Sequence, residues 1–486
     1  MAEAITTQST KKRGIFDQLS QFPRAFWMLN FMEMFERLAY YGVRVVIPIY
    51  IAQADCPGGL HFTQTDKGII FTVWALVQTL VPVFSGGFAD RYGYKRSIAT
   101  SITIYILGYI LMASQREFWP FLLSCCVLAV GVAIFKPGVQ GTLVRSLNKE
   151  TSSVGWGMFY MVVNIGGFLG PPFAHFLYGI SWPAVFYGCA AILSLNYLML
   201  FTYKGVESGT AKKGGALLVA KTTLHNIVQP RLLLFIVIMS GFWLMFMQLF
   251  DMLPNFIVDW IDSSRVVAML HLPSFMTVET ARGTMIAQEW MINANSGLIV
   301  LFVVYVTWLV SRMRRVHSIL MGITVSSIGL ILAGFTMSGI FCILGIFCFS
   351  LGEMLASPKM NEYLGVIAPE GQKALYMGYA NIPLAIGWSY GSLRGGIIYD
   401  QMGDKANLAI KYMSEHLNIT EAIPRTEAFQ RLQAAVSMNA SDATTLLWNT
   451  YKPYQLWYQF AAIGFASAIG IFLYSRWVRK YEAADI

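Results

Sequence analysis

Glu33, Glu36, Arg37 and Arg44 lie in one largely apolar stretch, interleaved with Tyr40 and Tyr41. At about 100° per residue, all six fall on a helix face of roughly 140°. Two carboxylates beside a guanidinium can take up and release a proton while the guanidinium changes anionic partners. Lys136, Asp251 and Glu353 are further ionisable residues, each set alone in an apolar run. A charge at the centre of a spanning helix costs about 2.5–3.5 kcal/mol on insertion scales, so each of these groups needs a cavity or a partner. The plain alternative is a fixed structural ion pair, and it leads for Lys359 and Arg394.

Depth sharpens the pattern. At about 1.5 Å per residue, Glu33 stands roughly 14 Å from Arg24 and Lys136 as far from Arg145, so the two share a level. Glu353 comes out about 23 Å from its own basic boundary, near the midplane. Arg44 and Asp251 both reach about 30 Å. A base and an acid at matching depth, one in each half of the chain, predict an outer gate. If a solute and a carboxylate compete for the same cation, protonation is coupled to occupancy.

The elements that must position these groups are membrane helices. The chain has 486 residues, 56% hydrophobic and only 13% charged, with a mean hydropathy of +0.54. Soluble domains carry about 25% charged residues, and a soluble protein this apolar would expose too much greasy surface. The net charge of +9 is distributed between apolar runs rather than gathered in one patch, which argues against nucleic acid. Five of the six cysteines fall inside apolar runs and only Cys56 in a loop, so neither a disulfide framework nor a metal spacing is expected. The polar N-terminus carries no cleavable leader by this reading; the first apolar helix would serve for targeting.

Runs of about 20 apolar residues predict twelve spans. They are 25–52, 66–88, 97–114, 119–145, 154–179 and 184–203, then 232–260, 287–311, 317–338, 341–366, 375–400 and 455–477. The Gly- and Lys-rich linker 204–231 joins six helices to six, the arrangement of carriers built from parallel repeats. The expected organisation is an N-terminal segment 1–24, a bundle 25–203, the linker 204–231, a second bundle 232–477 and a tail 478–486. Roughly 21 basic residues fall on the side of the termini and linker against about 9 opposite, which puts both termini and the linker in the cytoplasm. The polar stretch 401–454 is expected outside, as short amphipathic helices on the outer surface, with a disordered loop as the alternative.

Several motifs carry a resemblance. EMFERLAYYG (Glu33 to Gly42) looks like the ExxERFxYYG signature of the proton-coupled oligopeptide transporter family, within the major facilitator superfamily. GGFADRYGYKR (Gly86 to Arg96) is similar to the superfamily's loop between the second and third helices. GVAIFKPG (Gly131 to Gly138) resembles the family's fourth-helix lysine motif, and FYMVVNIGGFLGP (Phe159 to Pro171) its second signature. FWLMFMQ, MIN and GEMLASP (Gly352 to Pro358) are similar to segments of helices seven, eight and ten.

The resemblance implies an all-α membrane protein of the major facilitator fold, with twelve transmembrane helices in two six-helix bundles. It implies import of di- and tripeptides with protons by alternating access, driven by the proton gradient without a cofactor. Glu33, Glu36 and Arg37 would carry proton coupling. Arg37, Tyr40 and Lys136 would receive a peptide carboxylate, with Tyr41 also at the substrate site; Asn164, Asn293 and Glu353 would receive its amide and ammonium groups, and Trp388 a side chain. Arg44 with Asp251, and Asp90 with Arg91, would gate. The expected setting is the inner or plasma membrane, the expected state a monomer, and the expected partners peptides, protons and lipid, without nucleic acid.

There are departures from the family pattern. Leu38 stands for the signature Phe, and Met247 for the acid before Gln248, with Asp251 one turn further on the same face. The second-helix tyrosine is absent from QTLVPVFSGG, no helical hairpin is inserted between the halves, and the segment 401–454 has no counterpart. Two other readings remain: a carrier of the same fold for another small organic anion or zwitterion, and a receptor of this fold that binds without transporting. An enzyme is disfavoured, because no nucleophile–base pair, zinc cluster or phosphate loop is present. The six histidines are scattered, and His175, well inside an expected span, is read as a packing residue.

Overall fold

The computed structural model describes residues 20–148, 152–205, 226–310, 313–369, 376 and 378–482, leaving aside the side chains of 83–88, 90, 91, 152, 153, 307 and 479–482. Lys11–Arg13, most of the linker and the last tail residues lie outside this set, as do the side chains of Asp90 and Arg91.

Among the described residues, twelve long helices follow one another. The first six are α1 (Arg24–Ala52), α2 (Gln64–Tyr92), α3 (Tyr94–Ser114), α4 (Phe118–Ser146), α5 (Ser152–Tyr178) and α6 (Trp182–Thr202). The seventh, α7, comes in three segments, Pro230–Phe246, Gln248–Asp251 and Leu253–Trp260. Then come α8 (Gln288–Val310), α9 (Arg315–Gly334), α10 (Gly339–Ile367), α11 (Asn381–Met402) and α12 (Gln455–Glu482). Eight of them are long and apolar enough to cross a membrane by length and composition alone, among the described residues. The first, α1, is not among the eight: Glu33, Glu36, Arg37 and Arg44 interrupt it, and all four are buried in the protein.

The packing repeats with a shift of six helices. In the first half α1 lies on α5 and α6, α2 on α4, and α3 on α4 and α6; in the second α7 lies on α11 and α12, α8 on α10, and α9 on α10 and α12. The halves meet where α2 packs on α11 and α5 on α8. In lipid, helices are held by close packing rather than by hydrophobic burial, so small residues mark the contacts. A Cβ on Gly108 would sit 2.7 Å from the Leu128 Cα, and one on Gly131 as near the Tyr105 Cα, so the α3 and α4 backbones touch. Gly329 and Gly345 do the same for α9 and α10, the counterparts six helices on.

The structure departs from the expected spans in three places. The seventh span is not one continuous helix over 232–260: it breaks at Met247 and Met252, beside Asp251 and just before Pro254. The eleventh runs on to Met402, past the expected end at 400, and the twelfth continues to Glu482; the expected start at 375 lies outside the described residues. The connection after α7 holds a short helix Ser264–Leu270 and an antiparallel hairpin, Thr277–Thr280 with Gly283–Ile286, which sequence periodicity had not indicated because the strands are only four residues each.

The stretch between α11 and α12 forms three short helices, Lys405–Leu417, Arg425–Val436 and Ala440–Tyr451. Asp404 caps the first by accepting from the Asn407 amide, and Asn439 caps the third by accepting from the Asp442 amide. Ala409, Ala428, Leu432, Ala443 and Leu447 are fully buried, so this cap has a core of its own. It stands at the end of the bundle that also carries the α1–α2 turn and the hairpin, here termed the cap end.

Candidate functional site

A cavity of about 260 Å³ lies between the halves. Arg37, Tyr40, Tyr41 and Arg44 of α1, Gln78 of α2, Lys136 of α4 and Asn164 of α5 line it from one half. Trp243, Phe246, Met247 and Phe250 of α7, Asn295 of α8, Glu353 of α10 and Trp388 of α11 line it from the other.

On the α1 side the stripe of ionisable residues becomes a network. Arg37 Nε donates to Glu36 Oε2 at 2.5 Å and Nη2 to Glu36 Oε1 at 2.6 Å, a bidentate pair. Glu33, one turn earlier, lies 3.5 Å from the same Nε. Tyr105 of α3 donates to Glu36 from behind at 3.1 Å. Glu36 is fully buried and Glu33 nearly so; neither lines the cavity, and both reach it through Arg37. The Arg37 guanidinium lies 4.8 Å from the Tyr40 ring centre and 5.8 Å from that of Tyr41, a cation–π setting that fixes its plane. Tyr40 is held in turn by Gln78, which accepts from its hydroxyl at 3.2 Å and from Trp74 Nε1 at 2.7 Å.

Lys136 and Glu353 line the same cavity from opposite halves. Glu353 accepts from Asn295 Nδ2 at 3.0 Å, and Asn295 also donates to Ser350 Oγ at 2.9 Å. Lys136 makes no hydrogen bond or ion pair among the described residues. The cavity thus has a cationic wall of Arg37 and Lys136 and an acidic point at Glu353.

Above the cavity Arg44 forms an ion pair with Asp251, whose other oxygen accepts from Ser392 Oγ of α11 at 2.5 Å. Arg44 Nη1 also donates to the Phe250 carbonyl at 3.3 Å. Pro254 explains why that carbonyl is free: without an N–H it cannot close the helical bond to the residue four back. The same device appears in α5. Pro172 leaves the Phe168 carbonyl without its helical donor, and Asn293 Nδ2 of α8 donates to it at 2.9 Å. Two proline-freed carbonyls, one in each half, are each satisfied by a side chain of the other half.

Asn293, expected among the residues that receive the peptide, does not line this cavity: it ties α8 to α5, and Asn295 stands beside Glu353. Asn164 lines the cavity while its Nδ2 donates to the Tyr160 carbonyl of its own helix at 2.8 Å. His175 is not a packing residue; its Nδ1 pairs with Glu289 at the start of α8. Lys359 pairs with Glu362 at 2.8 Å. Gln78, Asn295 and Ser392 were not singled out from sequence, because a lone amide or hydroxyl in an apolar run signals less than a charge.

Two bundles related by a shift of six helices, with charged side chains of both lining one cavity, define a solute carrier of the membrane. Residues 29–392 match the family model described as Major Facilitator Superfamily, and the chain belongs to that superfamily, whose members are transporters and not enzymes. It is similar to the multidrug resistance protein MdtH of Klebsiella pneumoniae (strain 342), 24% identical over 68% of this chain and 77% of that protein. The MdtH of Proteus mirabilis (strain HI4320) is 25% identical over 67% and 76%. Among solved structures, the fold matches a POT family transporter in complex with 5-aminolevulinic acid, with a TM-score of 0.64 at 16% identity over 91% of this chain and 98% of that one. It also matches a bacterial homologue of the human drug peptide transporters PepT1 and PepT2, with a TM-score of 0.63 at 18% identity over 95% and 99%.

Proposed function

We propose that the chain is a POT-type, proton-coupled symporter that imports di- and tripeptides by alternating access. The observation that carries the reading is the cavity's charge layout: Arg37 and Lys136 from one half face Glu353 from the other. A zwitterion needs a basic wall and an acidic wall in a dry site. The solved structures of similar fold support the same reading, one a POT family transporter in complex with 5-aminolevulinic acid and one a bacterial homologue of the human drug peptide transporters.

The geometry supports a coupling scheme. Arg37 is shared between the buried carboxylates Glu36 and Glu33 and the cavity. A peptide carboxylate entering beside Lys136 competes for Arg37, and a proton on Glu36 or Glu33 releases the guanidinium to it. Glu353, held by Asn295, accepts the ammonium end. Substrate thus draws α1 and α4 toward α10, and in the import direction Arg44 and Asp251 pair on the outer side as the inner side opens. The basic residues bias the termini and linker to the cytoplasm, so the cap end faces outward. On this assignment Arg44, Asp251, His175 and Glu289 close the outer side, and Asp90 and Arg91 belong to the inner gate. The carrier works as a monomer in the cell's inner or plasma membrane, with the proton gradient as driving force.

The test is uptake of labelled di- and tripeptides into proteoliposomes with the outside acidic. Peptide accumulation that collapses with a protonophore, and proton influx driven by peptide alone, are expected. Binding without flux would leave a receptor, and uptake of small organic anions or zwitterions that peptides do not compete with would replace the cargo. A second reading, export of amphipathic compounds, is favoured by the MdtH relatives and by the aromatic wall of Tyr41, Trp243, Phe246, Phe250 and Trp388. Proton-driven movement of a fluorescent amphiphile in the same vesicles decides for it.

A further inference from the structure

The cap is fastened firmly to the second half. Trp448 packs against Trp260 and Phe256 of α7, with ring centres 5.8 Å and 6.1 Å apart, and Trp260 Nε1 donates to the Gly403 carbonyl at 2.7 Å. Its grip on the first half is polar and centres on one side chain. Arg425, at the start of the second cap helix, donates to the Phe62 carbonyl at 2.7 Å, the His61 carbonyl at 3.4 Å and the Ala52 carbonyl at 3.3 Å, all of the α1–α2 turn. It also donates to Asp404 Oδ2 at 2.7 Å and Asn407 Oδ1 at 3.2 Å within the cap.

A guanidinium offers five donors in a fixed plane, and here each nitrogen has an acceptor. The turn is shaped for the fit. His61 takes a left-handed conformation at φ 57, unusual for a residue with a side chain, and its Nδ1 lies 3.1 Å from the Gln53 carbonyl.

Two carboxylates of the second half complete the grip. Asp400, at the end of α11, accepts from the Gln64 amide at 3.0 Å and from the Thr65 amide at 2.8 Å, and also from the Thr65 hydroxyl. It sits on the first turn of α2, where an anion is favoured by the free amides of a helix N-terminus. Asp404 accepts from Gln64 Nε2 at 3.1 Å. Thr63 already caps α2 through Asp66, so Asp400 is not needed to start the helix; it is a clasp from the opposite half.

We propose that Arg425, with Asp400 and Asp404, forms a second outer gate beyond the membrane helices, a latch that must release before the cap end opens. The proposal rests on the alternating-access reading. The cap moves as one body with α7 and α11, and the carbonyls of residues 52, 61 and 62 leave Arg425 together when α1 and α2 swing away. Release exposes a guanidinium to water at no desolvation cost, so the latch is reversible, and its strength sets how much of the population is open to the outside.

The experiment has two arms, both in full-length protein with Cys56 replaced by Ser. In the first, Ser296→Cys places a thiol on the cavity, and its labelling by a membrane-impermeant reagent is followed from the cap side. Arg425→Ala is expected to speed labelling roughly tenfold and Arg425→Lys by less, because an ammonium keeps the charge and some donors but lacks the planar fork that reaches the three carbonyls and Asp404 together. Unchanged labelling in both overturns the latch. In the second, Phe62→Cys is bridged to Thr426→Cys, the exposed neighbour that leaves Arg425 in place, by a bifunctional thiosulfonate. Peptide uptake is expected to fall at least about tenfold and to return on reduction; full uptake with the bridge in place overturns the latch even if Arg425→Ala fails to fold. The labelling arm needs no substrate. A latch that responds there in a protein that moves no peptide would reject the cargo and leave the gate standing.

Discussion

Arg44 and Asp251 pair across the two halves directly above the cavity, with Ser392 holding the far oxygen of the carboxylate and Phe71 and Trp388 covering the guanidinium at 4.7 Å and 5.4 Å. Both side chains are about 3% exposed, so neither can fall back on water while the pair is intact. Removing one partner of a buried pair leaves the other charge stranded, at a cost of about 3–5 kcal/mol. Asp251→Asn is expected to lower Tm by several degrees and to abolish transport. The exchange Arg44→Asp with Asp251→Arg restores part of both. A double exchange no better than either single variant would show that the pair does not act as a unit.

Glu36 holds Arg37 by two hydrogen bonds and takes a third from Tyr105. Glu36→Gln keeps the shape but removes the charge and the proton site. Gradient-driven accumulation is expected to fall to background while peptide exchange between the two sides of the vesicle persists. Unchanged accumulation across a pH gradient would remove Glu36 from coupling.

Among the described residues Lys136 has no hydrogen-bond or ion-pair partner, so its loss leaves no stranded charge. Lys136→Ala is expected to weaken peptide affinity by about tenfold or more, the worth of one charge-assisted bond, with little change in Tm. Blocking the peptide's carboxylate as an amide should remove the difference between the variant and its parent. A Tm loss with normal affinity would make Lys136 structural.

Pro172 frees the carbonyl that Asn293 uses. Pro172→Ala restores an N–H that competes for Phe168, and Asn293→Ala removes the donor from the other side. Each is expected to weaken the closure between α5 and α8 by about 1 kcal/mol, read as several-fold faster labelling of a cavity thiol from the cap side. Identical labelling in both variants and parent would show that this bond carries no gating load.

Cys56, in the α1–α2 turn, is about 4% exposed. Burial first, and the Asp55 carboxylate after it, push its thiol up to about 12. Since the thiolate is the reactive form, alkylation of the native protein at neutral pH is expected to run at least about a hundredfold slower than in detergent-unfolded protein, and to accelerate as pH rises. Rapid native labelling at neutral pH would mean that the turn around Cys56 opens readily.

The α1 stripe was legible because a charge in lipid is costly: Glu33, Glu36, Arg37 and Arg44 on one face could only turn inward. Depth along the helix brought Arg44 level with Asp251 before any coordinates, since an α-helix rises uniformly. The reading slipped where level was not enough. Asn293 and Asn295 are two residues apart on α8, and only the rotation of that helix against α5 and α10 places one on a freed carbonyl and the other beside Glu353. His175 looked solitary because its partner, Glu289, lies 114 positions away. The cap was legible as amphipathic helices; its clasp on the α1–α2 turn was not, because Arg425 binds backbone carbonyls and those carry no side-chain signal.

By itself the amino-acid sequence determined the solvent, the number of long helices and the ionisable groups that lipid would not tolerate, because insertion energies depend on residue type and local periodicity alone. Tertiary structure decided which of those groups meet, which merely brace a helix, and what the polar cap holds. Such pairings depend on how twelve cylinders rotate and break against one another, and a side chain's chemistry does not encode that angle.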